Sequence, residues 1–307
     1  MAQVRVLVSD SIHEDGIRMM ERAGLQVERD FEISPDQLRA RIGEYQVLIV
    51  RSRTKVTAEV IKRASALKII GRAGAGLDNV DLDAAIKQGI KVLNTPDAPA
   101  NSVAELTIGL MISLARRIPL ADRGMKEGRW LKKELTGTEL RGKTLGIIGL
   151  GNIGMSVGRV ARAMGMSILN ATPRPKPDLL RELDAKHLPL DDLLKQVDFL
   201  TLHVPLSQET KGMLGRGQLN LMKRSAYLIN TSRGEIVDEK ALLEVLREGR
   251  IAGAALDVYS VEPPTDYELM KLPNVVCTPH IGAQTEDAQV TASRLIAQKV
   301  IEAAKAL

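Results

Sequence analysis

Runs of four or five apolar residues alternate along this chain with stretches in which apolar residues recur every three or four positions. The runs at 4–8, 46–50, 67–71 and 91–94 predict strands, and the periodic stretches at 16–22 and 58–63 predict amphipathic helices between them. Residues 1–10 read as an opening strand segment. A longer apolar stretch, 102–114, predicts a buried helix, with Asn101 or Ser102 as its cap. The pattern then repeats. Near-continuous apolar runs at 144–148, 167–171, 199–203, 227–230, 254–258 and 275–277 have the pattern of parallel strands covered on both faces. Helical stretches at 152–164, 190–196, 218–221 and 239–247 separate them, the last ending near Gly249. A final helix spans 286–304. Such alternation predicts an α/β protein built from βαβ units in two successive groups. One helix after the last strand is too little for a third domain, so it is expected to pack back on the first.

The run 144–148 leads into Gly149-Leu150-Gly151-Asn152-Ile153-Gly154 and then into a helical pattern. In that context the three glycines serve a tight turn, close backbone approach to a pyrophosphate, and helix–sheet contact, which points to a dinucleotide. About twenty residues further on such turns usually supply an acid for the ribose hydroxyls. This chain has Thr172, followed by Pro173, Arg174 and Lys176. The cofactor is therefore expected to be NAD or NADP: Arg174 and Lys176 suit a 2′-phosphate, whereas Thr172 and the backbone suffice for an unmodified ribose.

Composition narrows the class. With 307 residues, 44% of them hydrophobic, the chain can bury one or two substantial cores, and only 2% are aromatic, so aliphatic side chains must fill them. A balance of 43 basic to 38 acidic residues, mostly interleaved, is no footprint for nucleic acid. One cysteine, Cys277, excludes an internal disulfide and a Cys-rich zinc site and reads as a small core residue. No metal is expected. The absence of a secretory pattern and of a long apolar run predicts a soluble cytoplasmic protein without a membrane partner.

Three residues carry the chemistry of hydride transfer to a 2-keto acid, which needs a cation for the carboxylate and ketone and an acid for the nascent alkoxide. Arg233 follows the strand at 227–230, where ligands of open parallel sheets bind, and its planar guanidinium can hold a carboxylate through two bonds. His280 follows the strand at 275–277 and is the candidate proton donor. Glu262, before Pro263 and Pro264, is suited to orient the imidazole. His203 also ends a strand and reads as packing beside the cofactor, while His13 and His187 read as surface or loop residues. Arg51, Arg53, Lys55 and Arg72, at strand ends, form a basic cluster suited to a phosphate.

These residues, in this order, give the chain a family likeness. With residues 50–52, the Gly71–Asn79 segment, the Gly149 turn and the Arg233, Glu262 and His280 loops, it resembles the D-isomer-specific 2-hydroxyacid dehydrogenases, most closely the branch acting on 3-phosphoglycerate. The resemblance implies two Rossmann-like doubly wound parallel-sheet domains, a substrate-binding domain of 1–96 and 282–307 and a dinucleotide-binding domain of 97–281 inserted into it. It implies that Arg233 binds substrate, that His280 is the acid/base with Glu262 as its partner, and that the backbone of Gly74, Ala75 and Gly76 receives the carboxylate beside Arg51, Ser52, Arg53 and Arg72. Ala75 stands where relatives often carry Thr. Cofactor contacts are implied for Gly149, Gly151, Asn152, Ile153, Gly154, Thr172, Pro173, Arg174, His203, Val204, Pro205, Thr231, Ser232, Asp257, Gly282 and Ala283. A homodimer around 102–114 and Trp130 is implied too, with Lys132 reaching the neighbouring subunit's substrate.

The activity so implied is oxidation of 3-phosphoglycerate to 3-phosphohydroxypyruvate, the first step toward serine. Many such enzymes carry a C-terminal serine-binding domain; the chain stops before one, so serine inhibition is not expected. A glyoxylate or hydroxypyruvate reductase needs the same three residues without the phosphate cluster. A reading from another class is a dinucleotide-sensing interaction protein resembling a corepressor, which would bind nucleotide and turn over no keto acid.

Overall fold

The computed structural model describes residues 3–307; Met1 and Ala2, assigned from sequence to the opening strand segment and the first domain, lie outside the described residues. The chain forms two compact units, Met1–Pro99 with Gln284–Leu307, and Ala100–Ala283.

The first unit runs β1 (Arg5–Val8), α1 (Glu14–Arg22), β2 (Gln26–Arg29), α2 (Pro35–Arg41), β3 (Val47–Val50), α3 (Ala58–Arg63), β4 (Ile69–Arg72), α4 (Leu82–Lys87) and β5 (Lys91–Asn94). The second begins with α5 (Ala100–Arg116) and α6 (Ile118–Lys126) and continues through β6 (Thr144–Ile148), α7 (Asn152–Ala163), β7 (Ser167–Ala171), α8 (Pro177–Glu182), β8 (Lys186–His187), α9 (Leu190–Leu194), β9 (Phe199–Leu202), α10 (Arg216–Leu221), β10 (Tyr227–Asn230), α11 (Glu239–Arg247), β11 (Gly253–Leu256) and β12 (Val275–Cys277). Helix α12 (Glu286–Ala304) closes the chain within the first unit.

Both sheets are wholly parallel. Five strands in the order β2-β1-β3-β4-β5 make the first, and seven in the order β12-β11-β10-β9-β6-β7-β8 make the second. In both, the strand order reverses direction beside the first strand of the sheet, between β1 and β3 and between β6 and β9. Such switch points open a crevice at the carboxyl ends of the strands. Each sheet carries an apolar core on both faces, which explains why its central strands read as unbroken apolar runs. Helix α12 covers one face of the smaller sheet with Ile296, Ala297 and Val300. It also packs on α1, where Ser293 Oγ donates to His13 O (2.6 Å) and a Cβ on Gly16 would stand 2.3 Å from that hydroxyl. Glycine at 16 is what lets these two helices approach.

One local expectation is corrected. The long helix begins at Ala100, so neither Asn101 nor Ser102 caps it: Ser102 Oγ donates to Gly282 O (2.7 Å), and Asn101 Oδ1 accepts from Ser156 Oγ (3.4 Å). A second helix, α6, follows it, entered through Arg117 in the left-handed region (φ 52°). Among the described residues, no helix is long and apolar enough to cross a membrane.

Candidate active site

Six successive strands of the larger sheet deliver the assigned residues of that unit to one rim. Gly149 follows β6, Thr172 follows β7, His203 to Pro205 follow β9, Thr231 to Arg233 follow β10, Asp257 follows β11 and His280 follows β12. Parallel strands all point their carboxyl ends the same way, so a residue just past each strand lands on the same edge whatever its distance along the chain.

The glycine turn separates into three physical cases. Gly149 has φ +95°, and a Cβ there would stand 2.4 Å from His203 O; one on Gly154 would stand 2.1 Å from Gly149 O. Those two are required by the protein's own packing. Gly151, the N-cap of α7, would meet nothing within 4 Å, so no internal contact demands its lack of a side chain. Its lack of a side chain leaves the backbone open to close approach by an anion, and α7 has neither a side-chain cap nor an acid in its first turn. The turn fits the pyrophosphate of a dinucleotide. Asn152, exposed, and Ile153, half-buried, open α7, and Thr172 is half-buried beside exposed Pro173 and Arg174.

Neighbouring loops are wired to one another. Ser232 Oγ donates to Val204 O, Ser232 N donates to Asn230 Oδ1 (3.1 Å), and Asn230 Nδ2 donates to Arg233 O (2.8 Å). Thr231 is buried with its hydroxyl 3.0 Å from that of Thr107. Pro205 O accepts from Thr210 Oγ1 (2.7 Å). Arg233 is half-buried, its Nη1 donating to Ser232 O (2.6 Å). His203 places Nε2 3.0 Å from Thr201 Oγ1, and its Nδ1 is buried without a partner among the described residues. Burial pushes its pKa down to about 3, so the ring is neutral at ordinary pH.

At the far strand, Glu262 Oε2 lies 2.7 Å from His280 Nδ1, while Glu262 Oε1 accepts from Tyr259 N (3.1 Å). One carboxylate thus fixes both its own loop and the ring. His280 has φ 53°, a left-handed conformation that costs about 1–2 kcal/mol for a residue with a Cβ. What holds it is Asp257, 1% exposed, whose Oδ1 accepts from Thr278 Oγ1 (2.6 Å) and Ile281 N (2.8 Å) and whose Oδ2 accepts from Gly282 N (2.9 Å). The loop carrying the imidazole is therefore set by a buried carboxylate on the adjacent strand. Gly282 is buried against Asp257 and Val103, and Ala283 is half-buried next to it. Cys277 packs partly buried against the core, and burial pushes its thiol up, so it is no nucleophile.

In the smaller unit, Arg51 and Arg72 end adjacent strands, with Val50 paired to Arg72 in register. Arg51 Nη2 donates to Gln284 Oε1 (3.0 Å), and Ser52 and Lys55 are exposed. Partial burial lowers the pKa of Arg51, opposed by the charge of Asp10. The guanidinium of Arg72 lies against Gly74 (φ +145°), where a Cβ would stand 1.8 Å from Nη1. Among the described residues the N–H groups of Gly74, Ala75 and Gly76 meet no protein acceptor, whereas Gly74 O accepts from Thr95 N (2.9 Å) and Ala75 O from Asn94 Nδ2 (2.7 Å). Three adjacent donors on an otherwise anchored turn suit an anion. Arg53 behaves otherwise. It spends Nη2 on Ser9 O (2.6 Å), Nη1 on Ile33 O (3.3 Å) and Nε on Asp10 (3.3 Å). Lys132, in the second unit, is exposed.

Asp10 and Asn79 were not singled out from sequence. Asp10 accepts from Arg51 N (2.6 Å), Thr54 N (3.1 Å) and Thr54 Oγ1 (2.6 Å), and Asn79 Nδ2 donates to Arg51 O (3.0 Å) and Thr54 O (2.7 Å). The one available signal for Asp10 was a carboxylate two residues past an apolar strand, close to the position of Asp257 directly after β11.

Comparison with known proteins agrees with this geometry. A family model described as the D-isomer specific 2-hydroxyacid dehydrogenase, NAD binding domain, matches residues 108–282. The chain is 47% identical over 97% of its length to D-3-phosphoglycerate dehydrogenase of Methanocaldococcus jannaschii, covering 57% of that protein, so it spans a little over half of the first curated relatives it matches. It is 46% identical over 98% of its length to hydroxypyruvate reductase of Thermotoga maritima, covering 99% of that protein. Among solved structures, a glyoxylate reductase from Paecilomyes thermophila superposes with a TM-score of 0.92 at 30% identity, covering 99% of this chain and 96% of that one. The chain belongs to the D-isomer specific 2-hydroxyacid dehydrogenase family.

Proposed function

We propose that this chain is an NAD(P)-dependent D-2-hydroxyacid dehydrogenase that interconverts 3-phosphoglycerate and 3-phosphohydroxypyruvate. The observation carrying the reading is the 2.7 Å pair of His280 Nδ1 with Glu262, on a loop fixed by Asp257 at the same sheet rim as the glycine turn. With Nδ1 engaged by the carboxylate, Nε2 is the ring atom that exchanges a proton with the substrate oxygen. Bound nicotinamide supplies or accepts the hydride. Arg233 holds the substrate carboxylate and polarises the ketone, so negative charge developing on oxygen is met by a fixed cation before His280 delivers its proton. Within the first unit, the donors of Gly74, Ala75 and Gly76 suit a carboxylate, and Arg51 and Arg72 suit a phosphate. The family's placement of a cofactor domain, 97–281, within a substrate domain, and of a homodimer in which Lys132 serves the neighbouring subunit, belongs to this proposal.

Reduction of hydroxypyruvate or glyoxylate is the second reading. It is favoured by the pairing of Arg53 with Asp10 and Ser9 O, which removes one cation from the phosphate cluster, and by similarity over nearly full length to a hydroxypyruvate reductase. Comparing kcat/KM for 3-phosphohydroxypyruvate, hydroxypyruvate and glyoxylate separates the two. The phosphorylated acid should lead, and Arg51→Ala should abolish that lead; a wild-type preference for an unphosphorylated acid would make the chain a reductase.

A further inference from the structure

We propose that the loop after β7, residues 172–177, is a receptor for the 2′-phosphate of NADP(H), so that this chain prefers the phosphorylated dinucleotide. The inference rests on reading the second unit as the dinucleotide-binding one.

Its first support is position. Ala171 ends β7 in register with Ile148 at the end of β6, and Gly149 N donates to Ala171 O (3.4 Å), so Thr172 leaves the sheet directly beside the glycine turn. An acid at that place accepts hydrogen bonds from an unmodified ribose and repels a phosphate. Here the whole segment from Thr144 through Pro177 contains neither Asp nor Glu. The half-site made by β6, α7 and β7 has no carboxylate of its own to offer a ribose.

Second is the state of its cations. Arg159 is paired with Glu182 (2.6 Å) and Arg162 with Asp184 (3.2 Å), so both are committed. Arg174 and Lys176 are exposed and make no ion pair among the described residues. The next acid, Asp178, is held by Arg181 one turn along α8.

A third support is stiffness. The loop reads Thr172-Pro173-Arg174-Pro175-Lys176-Pro177, so each of its three polar residues precedes a proline. A following proline bars the helical region and leaves extended backbone, which Lys176 adopts (φ −104°, ψ 106°). With three proline rings fixed as well, little backbone freedom remains to be lost when an anion docks. The guanidinium fork of Arg174 matches two phosphate oxygens, and Thr172 adds a hydroxyl that carries no repelling charge.

Equilibrium binding tests this without catalysis. Dissociation constants of NADPH and NADH are read from nucleotide fluorescence on the wild-type chain, on Arg174→Gln/Lys176→Gln and on Thr172→Asp. Wild type should bind NADPH at least about tenfold tighter, the difference of one charge-assisted contact, and the ratio should shrink as salt rises. Both variants should move the ratio toward NADH by about tenfold or more. Tighter NADH binding by wild type, or a ratio unchanged in both variants, overturns the inference and leaves the dehydrogenase reading standing. Failure to bind either nucleotide overturns both.

Discussion

Asp10, after β1, and Asp257, after β11, anchor neighbouring loops in the same way and end up with different consequences. Each is buried, each directly follows or nearly follows an apolar strand, and each accepts two backbone N–H groups and a threonine hydroxyl from the loop after the neighbouring strand. A buried carboxylate satisfied in this way fixes a loop that has no regular structure of its own. Asp257 pairs with no cation among the described residues, and the loop it orders presents His280 to Glu262. Asp10 also pairs with the half-exposed guanidinium of Arg53, so one positive charge of the loop it orders is neutralised by the anchor itself. The same anchoring device exposes chemistry at one rim and absorbs it at the other, and residue type alone does not distinguish the two.

The sharpest way to break the comparison is Asp257→Ala. It strands two backbone donors and a hydroxyl next to a left-handed His280, and it should cost about 3–5 kcal/mol in urea unfolding, together with most activity. Asp257→Asn retains an acceptor and should cost less. Arg233→Lys comes next: it keeps the charge but loses the planar fork, and kcat/KM for any 2-keto acid should fall by about 10²-fold.

A titration sharpens the contrast further, because the second rim contains the half-buried neutral imidazole of His203, whose pKa is lowered to about 3 by desolvation. The unfolded chain takes up this proton below pH ~6.5 while the folded chain does not, so the contribution is complete above that pH. Stability is then lost at about 1.4 kcal/mol per pH unit as pH falls from ~6.5 toward 3. Urea midpoints between pH 7 and 5 should drop for wild type and drop less for His203→Gln. The smallest effect is expected from Arg53→Met, whose guanidinium is half exposed: unfolding free energy should change by about 1 kcal/mol or less, and kcat/KM for the phosphorylated acid by under about threefold. A tenfold loss of kcat/KM there would return Arg53 to the substrate.

Strands β6, β7 and β10 were legible to the residue because their mostly buried positions give near-continuous apolar runs, whereas β5 and β12, half-exposed at the sheet edges, were legible through their valines and leucine. Strand β2, Gln26–Arg29, was not, since an edge strand of polar and half-exposed residues lacks that pattern. Helix α2 escaped notice despite a readable signal: Ser34 and Gln37 form a capping box around Pro35. Asn101 and Ser102 looked like caps because their residue types favour caps, but tertiary bonds to Ser156 and Gly282 claim them instead. At the site, Arg233 and His280 were assigned from their places after strands, which parallel topology brings to one rim, and the pairing of His280 with Glu262 is the contact observed there. The fate of Arg53 could not be read the same way, because it depends on Ser9, Ile33 and Asp10, residues twenty to forty-four positions away.

The central claim is that the imidazole held by Glu262 exchanges the proton of a 2-hydroxy acid, and its most direct test is the turnover of wild type and His280→Ala on the same 2-keto acid with nucleotide binding measured alongside. The account predicts that kcat falls by about 10²–10⁴-fold while nucleotide affinity and folded stability hold. Undiminished kcat in the variant would contradict it.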